Sequence, residues 1–368
     1  MRPGAGSLRQ ISSAPPHTTA AELEALRSQY ESSLSWRLTR PLRTLKRTLL
    51  RTRPAPAEPS QPLPLPLSPG SHDLWLRTFW DDQLAPIDRA CVNAGPEAFA
   101  LFRALDADLW AMLLAQEQEA YPNISSLLPD VPPADLQVMW NGTSGVTLAT
   151  QSCGFYELLG RLQATHGQRP LGDCRVLDFG CGWGRLTRFL ARDVEPGRLY
   201  GCDPVAAILE LARTSRVPAE LARSDFLPER VPFDERFDLA YAFSVFTHLS
   251  ESAHTASLRA LHEAIVPGGL LVLTIRPPEY LRTCELLHPV LAGLGAEPAG
   301  RVGDPLYLYA AHDQLPLTFD AEDHELTYGE TVVTLAYVRE RWSEIFELLD
   351  VHLSIGDPHQ IVLALRRL

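Results

Sequence analysis

Between Cys174 and Ala191 the chain reads CRVLDFGCGWGRLTRFLA. The apolar run Cys174 to Phe179 predicts a short strand. Gly180, Gly182 and Gly184 follow, and Leu186, Phe189 and Leu190 then mark one face of a helix. A strand that runs through glycines into a helix leaves backbone N–H groups and a helix N-terminus at the strand's carboxyl end, where open α/β sheets take their ligands. Glycine suits the turn because a β-carbon would obstruct both the tight bend and the approach of a ligand. The spacing is D-x-G-x-G-x-G, beginning at Asp178. A dinucleotide fingerprint would need glycine where Arg185 stands, and no G-x-x-x-x-G-K-[ST] phosphate loop occurs. A second strand, Arg198 to Cys202, ends at Asp203, 25 residues after Asp178. A carboxylate there can accept both hydrogen bonds of a ribose diol. It can also cap the helix opening at Pro204, and the two roles are compatible.

This pattern resembles motif I of the class I methyltransferases, which use S-adenosylmethionine. The later landmarks follow the same order. Ala222 to Phe226 places Asp225 after a third strand, and the resemblance implies that Asp225 takes the adenine amino group while Phe226 lies against the ring. A surface-turn aspartate is the competing reading of Asp225. Phe237 to Val245 predicts the fourth strand, whose exit, Phe243 to His248, lines the pocket in this family. Ile265 to Ile275 gives a helix end, a Pro-Gly-Gly turn and a fifth strand. The cofactor-binding set implied by the resemblance is Asp178, Gly180, Cys181, Gly182, Gly184, Asp203, Pro204, Asp225, Phe226, Phe243 and Ser244. His248 is the candidate catalytic residue, a general base for a hydroxyl acceptor, with a packing or helix-capping histidine as the alternative.

These residues require a particular scaffold. From about residue 140 the sequence alternates apolar strands with helices, the signature of a parallel sheet. The expectation is a Rossmann-like α/β fold: seven strands, mostly parallel, closed by an antiparallel C-terminal hairpin and preceded by a helical N-terminal extension. The hairpin is read as Val351 to Ile355 and Gln360 to Arg366 around Gly356-Asp357-Pro358-His359, with a helix over Tyr337 to Leu349 before it. That leaves about 277–334 as an insertion carrying Tyr307, Tyr309, Phe319 and Tyr328. Loops of this length usually have a function of their own or lack order. Together with 140–157 it is expected to form a lid over the acceptor, within a methyltransferase domain spanning 140–368.

Upstream, 71–139 reads as a helical lead-in whose core candidates are Trp75, Phe79, Trp80, Phe99, Phe102, Leu105, Leu109, Trp110 and Leu113. Residues 54–70 hold seven prolines and read as an extended linker. Residues 1–53 form a basic helical arm, with ten Lys and Arg against three Asp and Glu. Leu23, Leu26, Tyr30 and Leu34 recur at helical spacing, as do Leu38, Leu42, Leu45 and Leu49 beyond Pro41. A solvated arm and a contact with an anionic membrane or acidic protein both fit. Within it, Tyr30 to Arg43 (YESSLSWRLTRPLR) resembles a segment of bacterial glycosyltransferases and other surface-polysaccharide proteins.

The net charge is −12, so the body beyond the arm is strongly acidic. Nucleic acid is therefore excluded as a partner, because its binding rests on phosphate neutralisation. Neither a [DN]-P-P-[YF] motif after strand four nor a Pro-Cys pair is present, which also argues against base methylation. Six scattered cysteines read as free thiols, and no spacing suggests a metal site. The first twenty residues lack an apolar core and no run of about 20 apolar residues occurs, so a cytoplasmic protein is expected, peripheral at the inner membrane if the arm docks there. The functional expectation is methyl transfer from S-adenosylmethionine to a sugar or other small-molecule hydroxyl in bacterial surface-glycan biosynthesis. The alternatives are a quinone or phenol acceptor, and an inactive scaffold for glycan assembly. A nicotinamide oxidoreductase is disfavoured by the glycine spacing.

Overall fold

A computed structural model describes residues 71–115, 118–295, 303–312, 328–354, 357 and 359–368. The expected arm and linker lie outside the described residues. The chain opens with α1 (Ser71–Ala90), a 3₁₀ segment (Pro96–Ala104), α2 (Ala107–Ala115), α3 (Pro122–Leu127), α4 (Ala134–Asn141) and α5 (Gly145–His166). It then alternates: β1 (Val176–Phe179), α6 (Thr187–Leu190), β2 (Leu199–Asp203), α7 (Ala206–Thr214), β3 (Glu220–Arg223), β4 (Phe237–Ala242), α8 (Glu251–Ala264) and β5 (Ile265–Ile275). The insertion contributes α9 (His288–Gly293), β6 (Tyr307–Ala311) and β7 (Gly329–Val333), and the chain ends with α10 (Leu335–Arg341), β8 (Phe346–Leu353) and β9 (Ile361–Arg367).

The main sheet has the order β3-β2-β1-β4-β5-β9-β8. Its first five strands are parallel, and β9 runs antiparallel to both neighbours. All four residues of β1 are buried, as a central strand covered on both faces must be. Alternate residues serve different cores. Val176, Leu239, Leu270 and Val272 pack with α2 and α5, whereas Leu177, Ala240, Leu271 and Leu273 pack with α8 and α10.

The helical lead-in belongs to the first of these cores. Phe99, Phe102, Leu105, Leu109, Trp110 and Leu113 are all buried, as expected, and Trp80 packs against them. Phe79 corrects the expectation: it is 69% exposed, because its neighbour Trp80 takes the inward position on α1. The Trp75 side chain lies outside the described residues. The indole N–H of Trp110 donates to the Phe189 carbonyl (3.0 Å), and the Arg192 guanidinium donates to the Leu105 carbonyl (2.9 Å). Thus the lead-in is bonded directly to the segment after β1.

Two elements differ from the sequence expectation. The helix read over Tyr337 to Leu349 stops at Arg341, and Phe346 to Leu353 is instead a strand paired with β9 from Phe346↔Arg367 to Leu353↔Ile361. Pairing along β9 satisfies the backbone of an edge that a helix would leave open; Phe346, 1% exposed, packs beside Trp342 in the second core. The expected Pro-Gly-Gly turn lies inside β5. Ile265 pairs with Phe237 and Leu270 with Leu239, so the extra residues bulge at Pro267-Gly268-Gly269, where Gly268 adopts φ 74°.

Replacing Trp110 with Ala is expected to destabilise the chain by about 3–5 kcal/mol, through loss of a buried indole and its hydrogen bond. Because the lead-in and the sheet share a core, the denaturant midpoint should drop in one transition. A separate early transition for the helices would contradict a shared core.

Candidate active site

The turn after β1 is built from left-handed glycines. Gly180, Gly182 and Gly184 have φ of 78°, 54° and 79°, values that favour glycine. A β-carbon on Gly180 would lie 2.4 Å from a Val245 methyl, and one on Gly184 2.6 Å from Val217. At Gly182 nothing lies within 4 Å, and this residue borders a cavity of about 400 Å³. The Gly180 and Cys181 N–H groups both donate to the Cys202 carbonyl, at 2.8 and 3.0 Å, tying the turn to β2.

Asp203 ends β2 at that point. Its carboxylate accepts from the Gly182 N–H (2.9 Å) and from the Val205 N–H (2.9 Å), so it orients the glycine turn and caps α7 together. It is 7% exposed, and burial pushes its carboxyl up to about 6 although both N–H donors oppose the shift. Asp178, 3% exposed, accepts from the Thr187 hydroxyl at 2.6 Å and is likewise pushed up to about 6 by burial. Cys181 is buried, and burial holds its thiol well above the usual range, so it packs rather than reacts.

The exit of β4 forms the opposite wall. Ser244 adopts φ 61°, a conformation rare for a non-glycine residue and held here by its surroundings. Its N–H donates to the Thr274 hydroxyl (2.7 Å), and its own hydroxyl accepts from the Gln360 amide (3.2 Å). Phe243 meets Phe155 edge-on and carries the Arg185 guanidinium over its ring at 4.9 Å. Burial pushes that guanidinium down to about 10.

The cavity collects Asp178, Gly180, Cys181, Gly182, Asp203, Pro204, Phe226, Phe243, Ser244 and His248 from the sequence-derived set. Gly184 and Asp225 do not line it: Gly184 packs on Val217, and Asp225 is exposed. Residues 140–157, expected as lid, form the end of α4, a short turn and half of α5, and contribute Trp140, Asn141 and Gln151 to the wall. The sequence reading missed Arg276, Asp357 and Gln360. Arg276 directly follows β5, so the rule that ligands gather at strand carboxyl ends could have found it. The other two come from the hairpin region, whose approach to β4 no local pattern reveals.

The insertion borders the cavity beside His248. It carries its own small core, including Leu281, Leu287, Leu291, Leu308 and Val332. Strand β7 is hydrogen-bonded to the exit of β4, through Gly329 N–H to the His248 carbonyl (2.7 Å) and Thr331 N–H to the Thr247 carbonyl (2.9 Å). Tyr328 stacks on His248 with ring centroids 5.1 Å apart. The His248 Nδ1 stands 2.8 Å from the Gly329 carbonyl oxygen, and burial pushes this imidazole down to about 4, so it is neutral at pH 7. His254, the next histidine along the chain, is 2% exposed and pairs with the Tyr307 hydroxyl at 2.9 Å, outside the cavity lining.

Comparison with known proteins bears on the same segment. Residues 176–269 match the family model described as a methyltransferase domain. A trans-aconitate 2-methyltransferase of Methylobacterium radiotolerans is 32% identical over 135 residues, covering 35% of this chain and 48% of that protein. A ubiquinone biosynthesis O-methyltransferase of a Methylobacterium species is 33% identical over 108 residues, covering 28% and 41%. The chain thus spans about half the length of the curated relatives it matches, or less. The magnesium protoporphyrin IX methyltransferase of Synechocystis aligns over 73% of this chain and 96% of its own at 14% identity and a TM-score of 0.40, which adds nothing to the strand order of the main sheet. Residues 176–269 thus match a methyltransferase domain and span the β1-to-β5 part of the main sheet.

Proposed function

We propose that the chain binds S-adenosylmethionine in this cavity and transfers its methyl group to an oxygen of a small-molecule acceptor. The observation that carries the reading is the pairing of Gly182 with Asp203 at the carboxyl ends of β1 and β2. The residues fit the cofactor. A ribose can approach Gly182 because no β-carbon intrudes there, and Asp203 is already aimed by two backbone donors with lone pairs left over. The cavity volume is in the range of small-molecule sites.

When bound, the cofactor supplies a methyl on a sulfonium, an electrophile already activated. The protein's task is then to orient the acceptor oxygen and exclude water, which can be worth about 7–11 kcal/mol. Trp183, Phe226 and Phe243 supply apolar walls for that purpose, and the strained exit of β4 fixes Phe243 and Ser244. His248 is the residue we place beside the acceptor. Asp225, exposed and adjacent in sequence to the cavity-lining Phe226, is our assignment for the adenine amino group, with Phe226 at the ring.

For the acceptor we infer a sugar hydroxyl in surface-glycan assembly, supported by the resemblance of Tyr30 to Arg43 to glycosyltransferase segments. A quinone or phenol is the second reading, favoured by the relative named for ubiquinone biosynthesis. Peripheral membrane contact through residues 20–53 is part of the first reading; among the described residues no helix is long and apolar enough to cross a membrane. Incubation with labelled cofactor and a panel of lipid-linked sugars, nucleotide sugars and phenols separates them. Turnover of phenols alone would reject the glycan acceptor, and cofactor binding without turnover of any acceptor would favour a scaffold.

Asp203→Ala should weaken cofactor binding in calorimetry by at least about tenfold, since hydrogen bonds to a charged group contribute about 1.5–3 kcal/mol each. Unchanged affinity would place the ribose elsewhere. Affinity should also depend on pH. Asp203 must be ionised to accept from two hydroxyls, and its carboxyl sits at about 6; affinity should therefore fall about fourfold between pH 7.5 and 5.5. An affinity that stays flat or rises on acidification would remove Asp203 as the acceptor. His248→Ala should lower kcat by about a hundredfold or more while cofactor affinity holds. Loss of both together would mean that the substitution disturbs the whole cavity.

A further inference from the structure

One cluster at the acceptor end is not accounted for by cofactor binding. His248, His312 and Glu330 can each offer one ligand atom, and these atoms lie within 4.8 Å of one another. Sequence spacing could not reveal them, since three separate segments supply them: His248 follows β4, His312 follows β6, and Glu330 lies in β7. The backbone fixes their meeting. Glu330 pairs with Ala310 in the β6–β7 register, the His312 N–H donates to the Tyr328 carbonyl at 3.3 Å, and the Gly329 N–H ties β7 to the His248 carbonyl.

We propose that His248, His312 and Glu330 bind a divalent transition-metal cation at the acceptor end of the cavity. The inference rests on reading this cavity as the methyl-transfer site, and it specifies how His248 serves the acceptor. It also revises the expectation, drawn from spacing alone, that the chain has no metal site.

The distances fit. Glu330 Oε1 lies 3.4 Å from His312 Nε2 and 3.8 Å from His248 Nδ1. Ligands about 2.0–2.1 Å from a tetrahedral zinc are separated by roughly 3.4 Å, so the Glu330–His312 pair already has that spacing and His248 has to move inward to complete the set. Each ligand also has outer partners of the kind that orient metal ligands. The second carboxylate oxygen of Glu330 accepts from the Tyr280 hydroxyl (3.1 Å) and faces the Arg276 Nε at 3.1 Å, which leaves Oε1 for the cation. Arg276 itself lies over the Tyr280 ring at 4.1 Å. Tyr328 flanks both imidazoles, with ring centroids 5.1 and 5.4 Å away. The His248 Nδ1 now faces the Gly329 carbonyl at 2.8 Å. To take a cation at Nδ1, the ring must give up this bond and turn from the Gly329 carbonyl, its hydrogen then sitting on Nε2.

Two imidazoles and one carboxylate suit zinc and its late first-row neighbours rather than magnesium or calcium, which prefer all-oxygen shells. Three protein ligands leave positions open, and His248, Arg276 and Tyr328 all line the cavity. The acceptor class that fits is one with two oxygens on adjacent carbons, such as a vicinal diol, a catechol or an α-hydroxy acid.

The test uses the full chain, dialysed against a chelator and titrated calorimetrically with zinc alone; S-adenosylmethionine is titrated into the same preparations. The expected result is one equivalent of zinc, bound at least tenfold more weakly by His312→Ala and by Glu330→Gln, with cofactor affinity unchanged within twofold. Tyr280→Phe, which leaves all three ligands in place, should weaken zinc by about tenfold. The proposal is overturned if the wild type binds no stoichiometric zinc, or if His312→Ala and Glu330→Gln bind it as tightly as the wild type. Zinc bound without the cofactor would remove the methyl-transfer reading and leave the metal site; cofactor bound without zinc would do the reverse.

Discussion

A single carbonyl oxygen, that of Cys202, accepts from both Gly180 and Cys181. This fork holds the end of β1 against the end of β2 while the chain reverses through left-handed glycines. The adjacent Asp203 carboxylate continues the arrangement by taking Gly182 on one oxygen and Val205 on the other. A buried carboxylate is costly unless it is hydrogen-bonded, and here the bonds that offset that cost also shape the glycine turn. The Gly180 contact with Val245 then sets how closely the turn can approach the exit of β4. The two walls of the cavity are thereby spaced by the Gly180 backbone packed against the Val245 side chain.

The electrostatics derive from that frame. Asp178 and Asp203 are both buried near the turn, and desolvation raises both carboxyls. Arg185 is the cation beside them, held over Phe243. Beside His248 a carboxylate meets a cation again, Glu330 facing Arg276 with the imidazoles of His248 and His312 around it. Its carboxyl is held down at about 2: burial alone would raise it, but the surrounding His248, His312 and Arg276 outweigh that cost. The cavity therefore has a raised-carboxyl end and a stabilised-carboxylate end, a contrast produced by neighbours and not by residue type.

Much of the cavity wall built by the glycine turn and the end of β2 was legible in sequence because its signals are local. Asp178, the three glycines and the strand-ending Asp203 reveal themselves by spacing, since each acts within a few residues of a turn. Glu330 and His312 could not be read this way; they acquire meaning only through the β6–β7 register and the bond from Gly329 to the exit of β4. The same limit explains the C-terminal error. Tyr337, Val338 and Trp342 carry helical periodicity, but the fate of residues 346–353 is decided by the open edge of β9, a long-range demand that local periodicity does not record. Gly184 shows a subtler limit. The motif includes it, yet it does not line the cavity, and its glycine is required by a left-handed φ and by Val217.

The insertion between β5 and α10 keeps a hydrophobic core of its own, Leu281, Leu287, Leu291, Leu308 and Val332 among its members, distinct from the two cores that flank the main sheet. It meets the main-sheet half through backbone bonds at Thr247, His248 and Arg276 and through side-chain contacts, among them Tyr307 with His254, Tyr328 with His248 and Glu330 with Arg276. Such an arrangement lets the two halves evolve at different speeds. Substitutions in the insertion's own core can reshape its side of the cavity without touching the two cores of the sheet, provided the Tyr307–His254 and Glu330–Arg276 pairs are kept. The turn after β1 has no such freedom, because any side chain added at Gly180 or Gly184 collides with a neighbour on another element.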